Sequence, residues 1–199
     1  QEQAAINEEL QKAMQQEYRL TFNAAEGLYQ LIPQLSAPTA EAEMEVIGGG
    51  QGMDGGIYKD TRQKLLVETR DLFGKLFLIK DSLVQPEWTI LEEQKQIQGY
   101  TCIKAKLTTK HGKTTTAWFT PDIPINMGPG DYWGLPGYIL QVNNGRIKIT
   151  CTELKISTGS TATITPPTKG KEVTLTEFEE IYDKKIKEID RMYDERGNR

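Results

Sequence analysis

Histidine occurs once in the 199 residues, as His111, and cysteine twice, as Cys102 and Cys151. A lone histidine supplies no His pair for a zinc site, and its place beside Gly112, in a turn, gives it no role as the buried base of a serine or cysteine nucleophile. Two cysteines allow one intramolecular bridge. Such a bridge would close a loop of about 50 residues and contribute roughly 3 to 4 kcal/mol in an oxidising compartment, and two buried thiols are the alternative. No apolar run approaches the roughly 20 residues of a membrane-spanning helix. Basic residues do not exceed acidic ones, 24 against 28 for a net charge of −4, so no broad cationic surface is available to a nucleic acid. The chain begins with Gln1 and not Met, a start that a removed secretory signal would leave.

What remains is a chain of single-domain length, 1–199, able to bury roughly 70% of its unfolded surface without a metal. In "AAINEELQKAMQQ", Ile6, Leu10, Ala13 and Met14 recur at helical spacing, which predicts a helix over 1–15. "YRLTFNAAEGLYQLIP" then alternates as two extended segments ended by Pro33. Glycines crowd 48–56 and predict a loop. From Ile57 the pattern is one short strand after another, and 16–165 is expected to form an antiparallel sheet.

Asn144-Gly145 is a strong hairpin signal as a two-residue type I′ turn; it sets Val142 opposite Ile147, Leu140 opposite Ile149 and Tyr138 opposite Cys151. His111-Gly112 marks a second hairpin, expected to set Lys106 opposite Ala117 and Lys104 opposite Phe119. Thr174-Leu175-Thr176-Glu177 is a capping box. It opens a helix over 174–195 whose stripe is Leu175, Phe178, Tyr182, Ile186, Ile189 and Tyr193. The fold class is therefore mainly β (α+β): a single curved antiparallel sheet or half-barrel, with an N-terminal helix and a C-terminal amphipathic helix packed on it.

Two motifs fail on context. Gly50-Gln51-Gly52-Met53-Asp54-Gly55 is a literal G-x-G-x-x-G, but no helical pattern follows to aim N–H groups at a pyrophosphate. Gly112-Lys113-Thr114 ends like a phosphate-binding loop, but Leu107 stands where its first glycine is required. Glu92, Glu93, Asp122 and Asp131 are candidate acids that spacing alone cannot bring together. No cofactor and no metal is expected.

The segment 120–137, "TPDIPINMGPGDYWGLPG", has four prolines and four glycines with apolar residues between them. Ordered loops of this length are uncommon unless functional, and prolines lower the entropy that ordering must overcome. Two readings stay open: a permanent plug, or the rim of a binding surface. On the second reading, Trp118, Ile125, Met127, Tyr132, Trp133 and Leu135 are candidate ligand contacts. Gly134, Leu135, Pro136 and Gly137 form the structural motif, a sharp turn feeding a strand.

"GYTCIKAKL" (99–107), "AWFTPDIPINMGP" (117–129) and "GLPGYIL" (134–140), in this order, resemble the GLPGLI family. "YRLTFNAAEGLYQLI", "WTILEEQKQIQGY" and "TLTEFEEIYDKKIKEI" extend the resemblance over most of the chain. Tyr138 stands where the family has Leu, and the glycine-rich insert is private to this sequence. The resemblance implies export to the periplasm or cell surface of a Bacteroidetes-type bacterium, and implies no reaction.

The expectation that follows is a non-catalytic envelope protein binding an apolar or amphipathic ligand, a lipid or a peptide, in a preformed apolar cavity of at least about 300 Å3 between the sheet and the 120–137 loop. An interaction subunit of an outer-membrane or secretion complex is the alternative. A hydrolase using Asp122, Asp131 or Lys104 comes third.

Overall fold

The computed structural model describes residues 16–32, 56–109, 112–159 and 163–197. The helix expected over 1–15, residues 48–55 of the glycine-rich stretch and His111 lie outside the described residues. The chain forms two sheets, not one. The first has the order β1 (Tyr18–Phe22), β2 (Glu26–Leu31), β3 (Ile57–Asp60), β4 (Leu65–Leu72), β5 (Lys75–Ser82) and β11 (Lys171–Val173). The second has the order β10 (Lys148–Thr150), β9 (Tyr138–Asn143), β8 (Thr114–Thr120), β7 (Tyr100–Thr108) and β6 (Thr89–Ile97).

The break falls between β5 and β6. Pro86 has no N–H for a ladder, and the crossover around it is held elsewhere. Leu83 N–H bonds Lys64 O at 2.8 Å, and the Trp133 indole donates to Val84 O at 3.2 Å. The Trp88 indole donates to Trp133 O at 2.8 Å. Strand pairing is antiparallel except that β11 runs parallel to β5, since the chain returns from the second sheet to the far edge of the first.

Both expected hairpins form with a different register. Thr109 N–H bonds Lys113 O at 2.9 Å, closing a longer turn than His111-Gly112 alone, and Lys104 pairs with Trp118, Ala105 with Ala117 and Lys106 with Thr116. This one-residue shift exchanges the faces. It puts Lys104 beside Trp118 instead of Phe119. At the other hairpin, Asn144 Oδ1 accepts from Arg146 N at 3.0 Å and Ile147 N at 2.9 Å, an Asx turn that lengthens the loop by two residues. Ile149 therefore pairs with Val142, and Ile147 is left exposed.

Four apolar clusters hold the layers. Leu20 and Phe22 of β1 meet Cys102, Tyr138 and Leu140 of the second sheet across Ile123 and Met127. Ala105, Ala117, Phe119, Ile139 and Val142 cover the other face of that sheet under Leu135. Tyr58, Val67 and Leu78 are covered by Ile164. Phe77, Ile79 and Val173 receive α1 (Leu175–Gly197) through Phe178, with Leu175 and Ile181 beside it. Each such side chain contributes about 1.5 to 3 kcal/mol on burial.

The capping box of α1 is present: Glu177 Oε2 accepts from Thr174 N at 2.7 Å, and Glu177 N–H donates to Thr174 Oγ1 at 3.2 Å. Ile181, not Tyr182, continues its packed stripe; Tyr182 is exposed. The Tyr193 side chain lies outside the described residues.

Candidate functional site

The 120–137 segment begins where β8 ends and returns the chain to β9. Its backbone satisfies itself through short-range bonds, Ile125 N to Ile123 O and Met127 N to Ile125 O at 2.8 Å each, and through Gly134 N to Asn126 O at 3.0 Å. Tyr138 N to Ile123 O at 3.0 Å and Ile139 N to Met127 O at 2.9 Å tie it to the start of β9. The Leu-Pro corner is what its glycines suggested. Gly134 sits at φ +89°, and a Cβ on Gly137 would stand 2.1 Å from Thr120 O. Neither place accepts a side chain without strain.

The strongest constraint on this loop is Lys59 of β3, which has no exposed surface. Its Nζ donates to Gly128 O at 2.7 Å, Gly130 O at 2.6 Å and Tyr132 O at 2.9 Å. Three protons meet three carbonyls, so the ammonium is fully satisfied and the loop is pinned to the first sheet. Burial pushes the Lys59 amine down to about 7, and the nearby Asp131 charge opposes that shift. On the same sheet, buried Glu68 is held by Arg70 through two bonds of 2.8 and 2.9 Å. Burial raises the Glu68 carboxyl, Arg70 lowers it, and Asp131 adds to the rise.

This geometry sorts the residues expected at a ligand site. Met127, Trp133 and Leu135 are core residues. Tyr132 is half-buried: its ring faces Trp88 at 6.4 Å, and its hydroxyl accepts from Asn144 Nδ2 at 3.2 Å. Ile125 is also half-buried and faces the cluster between the sheets. Met127 and Leu135 of the loop fill the apolar clusters on the two faces of the second sheet. A cleft of about 600 Å3 does open beside the crossover, but its lining is mainly polar, with Thr61, Gln63, Lys64, Ser82, Gln85 and Asn126 around Leu83, Val84 and Trp133.

Trp118 is different. A bulge in the β8–β9 pairing passes from Trp118–Gln141 to Phe119–Ile139, leaving Leu140 as the extra residue, so that Leu140 and Gln141 both lie on the Trp118 side. Lys95 Nζ stands 4.2 Å from the Trp118 ring centroid and Lys104 Nζ 5.8 Å. Lys95 donates to Gln141 Oε1, whose amide in turn donates to Thr150 Oγ1 at 2.8 Å. Lys104 pairs with Glu93. Burial lowers the Lys95 amine, and the charges of Lys148 and Lys104 add to that. Half-buried Leu20, Phe22, Tyr100, Ile125, Cys151 and Leu154 pack on the same buried cluster as Trp118.

Lys59 and Lys95 had no sequence signal, since nothing marks a lysine in a strand as a clamp or a cation–π partner. The hairpin register, once corrected, brings Lys104 to Trp118.

Cys102 and Cys151 are free thiols. Cys151 N–H bonds Leu140 O at 2.7 Å, which keeps it alongside β9 on the β10 side, while Cys102 lies on β7. Among the carboxylates, Glu93 is engaged by Lys104. Glu92, Asp122 and Asp131 are exposed. Among the described residues, no group of three or more His, Cys, Asp or Glu is placed to hold a metal, and no helix is long and apolar enough to cross a membrane.

Residues 106–141 match a family model described as a protein of unknown function, Porph_ging. No curated protein matches the chain. The fold is similar to that of PNGF-II in its C2 crystal form, with a TM-score of 0.55 at 14% identity over 84% of this chain. The P21 form gives a TM-score of 0.55 at 15% identity over 85% of this chain. The chain spans 30% of the length of PNGF-II in both cases.

Proposed function

We propose that this chain is an exported, non-catalytic envelope protein of the GLPGLI kind that binds an amphipathic ligand at the Trp118 face of its second sheet. One observation carries the reading: the half-buried indole belongs to a group of partly buried apolar side chains and has two lysines, Lys95 and Lys104, over its ring. An amphipathic ligand needs both surfaces side by side. The 120–137 loop supports this group, since buried Met127 and Ile123 belong to the same cluster. Its role is to hold Ile125 and the β8–β9 corner in place. The match over 106–141 spans Trp118, the loop and the Gly-Leu-Pro-Gly corner, which agrees with the motifs that resemble GLPGLI proteins. Periplasm or cell surface is the compartment this reading entails.

Protein taken from its own cell envelope tests it by native mass spectrometry and solvent extraction. A retained amphiphile that is lost in Trp118→Ala supports the reading. Bare protein in every preparation, with no amphiphile binding when one is added, overturns it.

A second reading, an interaction subunit of a larger envelope assembly, is favoured by α1. Leu175, Phe178 and Ile181 pack on the first sheet, while Tyr182 and Met192 are exposed. A partner crosslinked to Met192→Cys in the envelope would support it.

A further inference from the structure

We propose that Lys95 and Lys104, over the Trp118 indole, together with Lys148, two residues from Thr150 on the same face of β10, seat the anionic head of a single-chain amphiphile, a carboxylate, sulfate or phosphate on one hydrocarbon tail. The inference rests on the binding reading above and names the class of its ligand. The chain as a whole is acidic, at −4, yet Lys95 and Lys104 both stand over one indole. Glu93 is taken by Lys104. Lys95 has a neutral acceptor, Gln141 Oε1, and among the described residues no ion pair engages Lys148.

Two uncompensated cations therefore stand near one another beside a third. Like charges held this way raise the free energy of the unliganded face, and an anion between them relieves it. The Gln141 amide is fixed by Thr150, so the Lys95 head is held in position before any ligand arrives. Half-buried Leu20, Phe22, Ile125, Cys151 and Leu154 pack on the same cluster as Trp118. Their partly exposed surface offers the apolar contact that one hydrocarbon tail needs beside the cationic seat.

Calorimetric titration of the full chain, below the micelle concentrations, compares dodecyl phosphate, dodecyl maltoside and inorganic phosphate. Dodecyl phosphate is expected to bind about tenfold or more tighter than the maltoside. That ratio should fall toward one at high salt and in the Lys95→Gln, Lys148→Gln double variant with an unchanged thermal midpoint, and should persist in Lys187→Gln on α1.

Equal binding of the two amphiphiles by the native chain overturns the cationic seat and leaves the Trp118 surface standing. Inorganic phosphate binding as tightly as dodecyl phosphate overturns the amphiphile class. Binding of none of the three removes this inference together with the reading it rests on.

Discussion

Lys59 in the first sheet and Lys95 in the second carry the same ammonium on the same four-carbon stem, and one is fold while the other is surface chemistry. Lys59 is wholly buried and gives each of its three protons to a main-chain carbonyl of the 120–137 loop. Lys95 is partly exposed, lies over an indole, and meets one neutral amide oxygen while two further lysines crowd it. The tryptophans divide in the same way. Trp133 is buried with its indole N–H on a crossover carbonyl, whereas Trp118 is half-buried with two lysines over its ring. A polar group fully satisfied within the protein has nothing left to offer a ligand. Satisfaction, more than residue type, separates the plug from the site.

Removing the plug's anchor should give the largest effect. Lys59→Met leaves three carbonyls without their donor in a buried place, and should cost roughly 3 to 5 kcal/mol in urea unfolding. The same substitution at Lys95 is expected to stay within about 0.5 kcal/mol. Comparable losses at both positions would erase the distinction.

Next in size is Gly137→Ala. Its Cβ would enter the space of Thr120 O at 2.1 Å, main chain that cannot swing aside, for a cost of about 2 to 3 kcal/mol. A neutral outcome would mean that the Leu-Pro corner does not fix the backbone.

The third contrast is in pH. The folded Lys59 amine, lowered to about 7 from 10.5, releases its proton before the unfolded chain does. Between about pH 7 and pH 9 the unfolded state binds more protons, so the native chain should gain stability relative to Lys59→Met as pH rises. Below pH 7 both states are charged and the difference should level off. Above pH 9 the Cys102 and Cys151 thiols, raised by burial, act with the opposite sign in both proteins and so cancel from the difference.

The smallest expected effect concerns Trp118→Ala. It should leave the native fold intact, with a modest loss of stability, because the indole is only partly buried. Its consequence should appear in ligand retention instead.

Local features were legible in the sequence. Strand alternation, the Thr174–Glu177 capping box and the Gly-Leu-Pro-Gly corner each depend on a few neighbouring residues, and each appears in the structure. Features set by turn length were read less well: the Asx turn at Asn144 and the longer loop before Lys113 moved both hairpin registers. The separation into two sheets followed from the crossover at Pro86, whose anchors Lys64 and Trp133 lie on other elements. Lys59 was invisible because its three acceptors are 69, 71 and 73 residues away. Lys95, Lys104 and Lys148 come from β6, β7 and β10, and only the register joins them.

Amide hydrogen exchange of the 120–137 loop, in the native chain and in Lys59→Met, bears most directly on the claim that this loop is a pinned element of the fold. The account expects the amides of Met127, Gly134, Tyr138 and Ile139 to exchange in the native chain as slowly as those of β8. In the variant they should exchange far faster while β4 and β5 remain protected. Fast exchange of those amides in the native chain, or no difference between the two proteins, would contradict it.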